Sequence, residues 1–132
     1  MKKDLLEWVE FNEGTLKKYD IISTGTTGAL IEEKTSLKVA RLKSGPLGGD
    51  QQLGAKIANG EIDFLIFFWD PLSVMSHDVD VKSLLRLAVV YNIPVACNRS
   101  TADFVISSSL MGSKYERRTP RFDEYLNRKL VV

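Results

Sequence analysis

Phe64-Leu65-Ile66-Phe67-Phe68 is an unbroken apolar run of five residues. A strand with one wet face alternates apolar and polar side chains, so this run describes a strand covered on both faces, the kind found in parallel sheets with helices on each side. The rest of the chain can be read around that strand. Leu5, Leu6, Trp8, Val9 and Leu16 recur at helical steps and predict an opening amphipathic helix interrupted near Gly14. Asp20 to Thr24 reads as a strand, Gly25-Thr26-Thr27-Gly28 as a turn, and Ala29 to Lys34 as a helix. Leu37 to Leu42 reads as a half-exposed strand, followed by a Gly/Pro-rich loop and a helix from Asp50 to Asn59 that stops at Gly60. A polar loop from Trp69 to Asp80 leads into a helix through Val81, Leu84, Leu85, Ala88 and Tyr91. A short strand at Ile93 to Cys97 follows, then a helix capped by Ser100 or Thr101 and a last amphipathic helix through Phe122, Tyr125, Leu126 and Leu130.

Strands alternating with helices predict an α/β fold: a single doubly wound domain over residues 1–132, its parallel sheet flanked by helices. In that layout ligands bind beyond the carboxyl ends of the strands. The loops there are Thr24 to Gly28, Ser44 to Asp50, Trp69 to Asp80 and Asn98 to Thr101. With 18 Lys+Arg against 17 Asp+Glu the net charge is +1, which gives no bulk attraction to nucleic acid or an anionic membrane. One Cys and one His exclude a zinc site built from those residues and an intrachain disulfide, in keeping with a reducing, cytoplasmic setting. The N-terminus has no signal-peptide core and no apolar run reaches membrane-spanning length.

Three segments carry chemistry. Thr24 to Gly28 offers glycines, hydroxyls and free N–H groups at a helix start, which suits a phosphate or serves simply as a capped turn. Ser44-Gly45-Pro46-Leu47-Gly48-Gly49-Asp50-Gln51-Gln52 places three glycines within five residues just ahead of Asp50. That carboxylate reads either as the N-cap of the next helix or as a general base whose proton affinity rises when a ligand desolvates it. His77-Asp78-Val79-Asp80 holds the only histidine, either a surface residue or a proton donor steadied by its carboxylate neighbours. Asp70, before Pro71, fits a turn; Trp8, Trp69 and Cys97 fit the core.

These segments in this order, together with Phe67-Phe68-Trp69-Asp70-Pro71-Leu72, closely resemble the methylglyoxal synthase family over nearly the whole chain. The resemblance implies a homohexameric, cofactor-free and metal-free cytoplasmic lyase. It would convert dihydroxyacetone phosphate to methylglyoxal and inorganic phosphate, with phosphate as an allosteric inhibitor. Carried over by position, Thr24, Gly25, Thr26 and Thr27 match the phosphate loop, Ser44 and Gly45 the second anion-contacting segment, and Asp50 the catalytic carboxylate. His77 matches the histidine on the substrate oxygens, Asp80 a nearby active-site carboxylate, and Lys2 a phosphate-contacting lysine. Family members have a further strand, ending in a His-Asp pair, just ahead of that lysine. This chain starts at or after that point, so a gap in the sheet is expected, flanked by strands with unpaired backbone groups. Two other readings stand beside the lyase: a non-catalytic regulatory domain of the same fold, and a phosphosugar isomerase using the same base.

Overall fold

The computed structural model describes residues 2–74, 78–118 and 122–127. The chain opens on helix α1 (Lys2–Phe11) and a one-turn helix α2 (Glu13–Leu16), then enters strand β1 (Ile21–Ser23). Helix α3 (Gly25–Lys34), strand β2 (Val39–Arg41), a 3-10 turn at Gly45–Leu47 and helix α4 (Gly49–Ala58) follow. Strand β3 (Leu65–Ile66), helix α5 (Asp78–Val90), strand β4 (Val95–Ala96) and helices α6 (Arg99–Ser107) and α7 (Asp123–Leu126) complete the order.

Among the described residues the strands form two parallel pairs rather than one continuous sheet. β1 lies on β2 in the register Ile21↔Val39 and Ser23↔Arg41, and β3 lies on β4 in the register Leu65↔Val95. The five-residue apolar run keeps the expected role. Phe64 and Leu65 pack into one core with Leu53 and Ile57 of α4 and Leu84 and Ala88 of α5. Ile66 and Phe68 pack into the other with Trp8 and Val9 of α1, Ile31 of α3 and Ala102 of α6. Leu65 and Ile66, the two residues of β3, therefore serve opposite faces, as the two-residue period requires. Helices α1, α3 and α6 cover one face and α4 and α5 the other, the doubly wound arrangement expected from the sequence. Its pairing reaches past the strand ends, since the N–H groups of Leu65, Phe67 and Trp69 donate to the carbonyls of Pro94, Ala96 and Cys97.

Polar tethers fix the helices. Trp8 is 2% exposed, and its indole N–H donates to Asp103 of α6 at 3.0 Å, so this core aromatic also finds its polar partner. The Glu13 carboxylate accepts from the Ser36 N–H at 2.6 Å and from the Ser36 hydroxyl at 2.7 Å. Those bonds, the backbone one foremost, hold its pKa below the ordinary carboxylate value. Whatever this tether contributes is present above the ordinary carboxylate range and is lost as pH falls through the lowered folded pKa.

Some boundaries differ from the sequence reading. α3 begins at Gly25 instead of Ala29, so the Thr/Gly segment forms the helix's first turn. α5 begins at Asp78, three residues before Val81. α6 is capped by Asn98, whose side chain accepts from the Thr101 N–H at 2.9 Å, in place of Ser100 or Thr101. Of the apolar face expected in the last helix, Phe122 stands just ahead of α7 with its ring edge-on to Tyr91 at 5.5 Å, while Tyr125 and Leu126 are 61% and 74% exposed. Leu130 lies outside the described residues. No helix among the described residues is long and apolar enough to cross a membrane.

Ile57 is fully enclosed in the α4–α5 core. Ile57→Ala should lower the free energy of unfolding by about 3 kcal/mol, read as a shift of the urea midpoint at unchanged slope. A loss below about 1 kcal/mol would mean that this core collapses freely around the deletion.

Candidate functional site

The site gathers where the carboxyl ends of the strands meet the helix starts. Thr24 stands in extended conformation (φ −62°, ψ 154°) as the cap residue of α3. The first four N–H groups of a helix have no partner within it. Here the Gly25 N–H donates to the Lys43 carbonyl at 3.2 Å and the Gly28 N–H to the Thr24 carbonyl at 2.9 Å. The amides of Thr26 and Thr27 have no backbone partner among the described residues, which leaves them at the positive end of the helix dipole for an anion.

The second loop is folded tightly on itself. The Ser44 carbonyl accepts from the N–H groups of Leu47 at 3.0 Å and Gly49 at 2.9 Å. Gly48 sits at φ 105° in the left-handed region and is the residue that precedes α4. A Cβ on Gly49 would run into the Lys43 carbonyl oxygen, so the backbone passes there only because no side chain exists. Gln52 then reaches back with its side-chain oxygen to accept the Lys43 N–H at 2.9 Å, tying α4 to the strand end before it.

This folding decides between the two sequence readings of Asp50. It is not the N-cap, because Gly48 occupies that position; Asp50 lies in the first turn of α4. It is 6% exposed, the sole buried charged residue among those described. Its carboxylate opens on a cavity of about 880 Å³ that Lys2, Thr24, Thr26, Thr27, Ser44 and Gly45 also line. Gly25 backs that wall: a Cβ there would stand 2.8 Å from the Leu42 carbonyl oxygen.

Asp80 is placed differently. It lies in the first turn of α5 and lines, with Asp50, a shallower pocket of about 290 Å³ between α4 and α5. Asp50 thus borders both spaces, with Asp80 on the far side. His77 lies outside the described residues. Asp70 also lines the large cavity, and its carboxylate accepts the Leu72 N–H at 3.0 Å, so the turn role read from Asp70-Pro71 holds while the residue also faces the site. Gln52 was not singled out by the sequence, where it looks like an ordinary polar helix residue. Cys97 is half-buried, and burial pushes its thiol pKa up, away from the thiolate needed for nucleophilic work.

The MGS-like domain family model matches residues 4–97. The chain belongs to the MGS-like family. Methylglyoxal synthase of Coxiella burnetii (strain Dugway 5J108-111) is 54% identical over 128 residues, covering 97% of this chain and 90% of that one. The methylglyoxal synthase of Leptospira interrogans serovar copenhageni is 58% identical over 116 residues, 88% of this chain and 78% of that one. The crystal structure of methylglyoxal synthase from Elizabethkingia anophelis NUHP1 superposes with a TM-score of 0.93 at 52% identity, covering 98% of this chain and 86% of that one. The MGS-like fold expected from the sequence is therefore the fold of this chain.

The Gly49 passage gives a direct check. Gly49→Ala should destabilise the protein by about 3 kcal/mol, because backbone rather than a pliable side chain blocks the new methyl. Gly14→Ala, with open space around it in α2, should be neutral or stabilising by up to about 1 kcal/mol. Comparable melting temperatures for the two variants would show that the loop is free to move away from Lys43.

Proposed function

We propose that this chain is a lyase that converts dihydroxyacetone phosphate to methylglyoxal and inorganic phosphate, with Asp50 as the base. The observation that carries this reading is a buried carboxylate opening on the same cavity as two anion-suited loops. Relatives named methylglyoxal synthase, 52–58% identical over most of this chain, support the enzyme over a non-catalytic regulatory domain.

The residue types suit each step. The amides and hydroxyls of Thr26 and Thr27, with Thr24, Ser44, Gly45 and Lys2, hold the phosphoryl group. Asp50 takes a proton from the hydroxymethyl carbon C3, and the C–H electron pair becomes the enediolate. His77, neutral, donates a hydrogen bond to the oxygen that gains charge, with Asp80 nearby as a second carboxylate. The enediolate electrons then expel phosphate as the C–O bond breaks, leaving an enol that becomes methylglyoxal by gaining a proton at carbon.

Expulsion requires that C–O bond to overlap the enediolate π system, whereas an isomerase must hold it near the plane. The two loops therefore set a torsion as well as an affinity. No cofactor or metal is needed for a proton transfer and an elimination. In this reading residues 1–132 work as one cytoplasmic catalytic domain, assembled as a homohexamer and inhibited by phosphate.

Incubation with dihydroxyacetone phosphate distinguishes the readings: methylglyoxal supports the lyase, glyceraldehyde phosphate an isomerase, and binding without turnover a regulatory module. Asp50→Asn should cut kcat by about a thousandfold while phosphate still binds; near-normal turnover would remove Asp50 from the base role. His77→Gln should slow turnover more than it weakens phosphate binding. Equal losses in the two measurements would make His77 a binding residue only.

A further inference from the structure

The loop that carries Asp50 is built from residues that hold no shape by themselves. Gly45, Gly48 and Gly49 lie within five residues, and glycine imposes little preference on the backbone. Asp50 then stands in the first turn of α4, where a helix's own hydrogen bonds are incomplete. A catalytic base has to be held closely against its substrate, since a misplacement of about 1 Å can cost about a hundredfold in rate. Something outside the loop must fix that turn.

The backbone of Lys43 supplies the fixed point. The Leu42 N–H donates to the Ser23 carbonyl at 2.8 Å, toward β1, so the next N–H, that of Lys43, turns to the side of β2 that no strand occupies among the described residues. There the Gln52 side-chain oxygen accepts it at 2.9 Å, a bond that only the oxygen end of the amide can make. The carbonyl of Lys43 accepts the Gly25 N–H at 3.2 Å. The two backbone groups of one residue thus hold the starts of two helices, α3 one residue before Thr26 and α4 two residues after Asp50. Both helices come as near as backbone permits. A Cβ at Gly25 would stand 2.8 Å from the Leu42 carbonyl oxygen, and one at Gly49 would stand 2.9 Å from the Ser44 carbonyl carbon.

We propose that Gln52 is a positioning residue: acting through the backbone of Lys43, it sets the spacing between the Thr26 and Thr27 amides, which hold the phosphoryl group, and the Asp50 carboxylate, which takes the proton. This rests on the lyase reading with Asp50 as base. Neither Gln52 nor Lys43 lines the 880 Å³ cavity, so Gln52 works through its neighbours and touches no substrate. Gln52 is also exposed and adds little to the core, so its removal costs geometry rather than the fold. The α3 start and the Ser44 loop keep their own backbone bonds without it, those of Gly28 to Thr24 and of Leu47 and Gly49 to Ser44. Phosphate affinity depends on those local bonds, whereas proton transfer depends on the spacing between the two loops. Removing the Gln52 acceptor therefore separates the two measurements.

The test compares three variants with the unaltered chain. Gln52→Met keeps the length and removes the acceptor, and Gln52→Ala removes both. In each, kcat for methylglyoxal formation should fall at least about tenfold, while KM and the dissociation constant of inorganic phosphate stay within about twofold. Melting temperatures should stay within about 3 °C. Gln52→Glu keeps an acceptor at the same reach and should recover kcat to within about threefold at the plateau of its pH profile, the added charge displacing that profile along pH rather than lowering it. In crystals holding inorganic phosphate, the Asp50 carboxylate of Gln52→Met should stand at least about 0.5 Å from its unaltered place relative to the phosphate, or occupy two places. The proposal is overturned by unchanged kcat, by phosphate binding lost in step with kcat, by a glutamate variant as slow as the methionine one, by failure of both truncations to fold, or by an unmoved carboxylate. An unaltered chain that forms no methylglyoxal overturns the lyase reading instead, and the pair of phosphate-bound crystals then decides the placing of Asp50 by itself.

Discussion

The backbone of Leu65 to Trp69 is the constraint on which the rest depends. Its alternate side chains feed two separate cores, and its alternate N–H groups hold β4. A strand used on both faces cannot slide by one residue without exchanging Leu65 and Ile66 between the two cores. Register is therefore fixed by packing, and with it the points at which the chain leaves the sheet. The loop carrying Asp70 and the loop carrying Asn98 both start from this pair, so the geometry at the mouth of the cavity derives from burial far below it.

On the other pair the determining feature is a backbone approach rather than a side chain. α4 starts where it does because Gly49 can pass against the Lys43 carbonyl and Gly48 can take a left-handed conformation. Those two allowances bring Asp50 inside, and the Gln52 to Lys43 hydrogen bond locks the turn from the far side. A carboxylate in the first helical turn has favourable interaction with the helix N-terminus, which offsets part of the cost of enclosing it. The loop thus places a charged group at low exposure.

How much of this could be read from residues alone follows the same physics. The apolar run, the helix faces and the order of elements were legible because periodicity reports burial directly, and Phe64 and Leu65 lie on one core and Ile66 and Phe68 on the other. The start of α3 was not, because Gly25 and Gly28 are poor helix formers and their reason is tertiary: the Leu42 carbonyl and the Arg41 side chain crowd their Cβ positions. Asp50 looked like a cap because acidic residues cap helices well, and only the positive φ of Gly48 shows that the cap lies two residues earlier. Apolar spacing at Tyr125 and Leu126 suggested a buried face, but spacing says nothing about what stands opposite, and both remain exposed. The candidate site residues were assembled by order along the chain; the cavity joins Lys2, Thr24, Thr26, Thr27, Ser44, Gly45 and Asp50, while Asp80 stands on the other side of α4.

Asp50 and the two loops border one cavity, and this has a physical consequence for chemistry. Catalysis by a carboxylate and oriented amides draws its strength from exclusion of water, since the same hydrogen bond is worth far more at low dielectric. Asp50 is 6% exposed and shares its cavity with both loops, so the carboxylate already stands largely out of water before a ligand arrives. A substrate phosphate held by the Thr26 and Thr27 amides would cover the same wall of the cavity that Asp50 lines. Binding at the phosphate loop would then also dry the carboxylate, which ties affinity at one end of the ligand to proton transfer at the other.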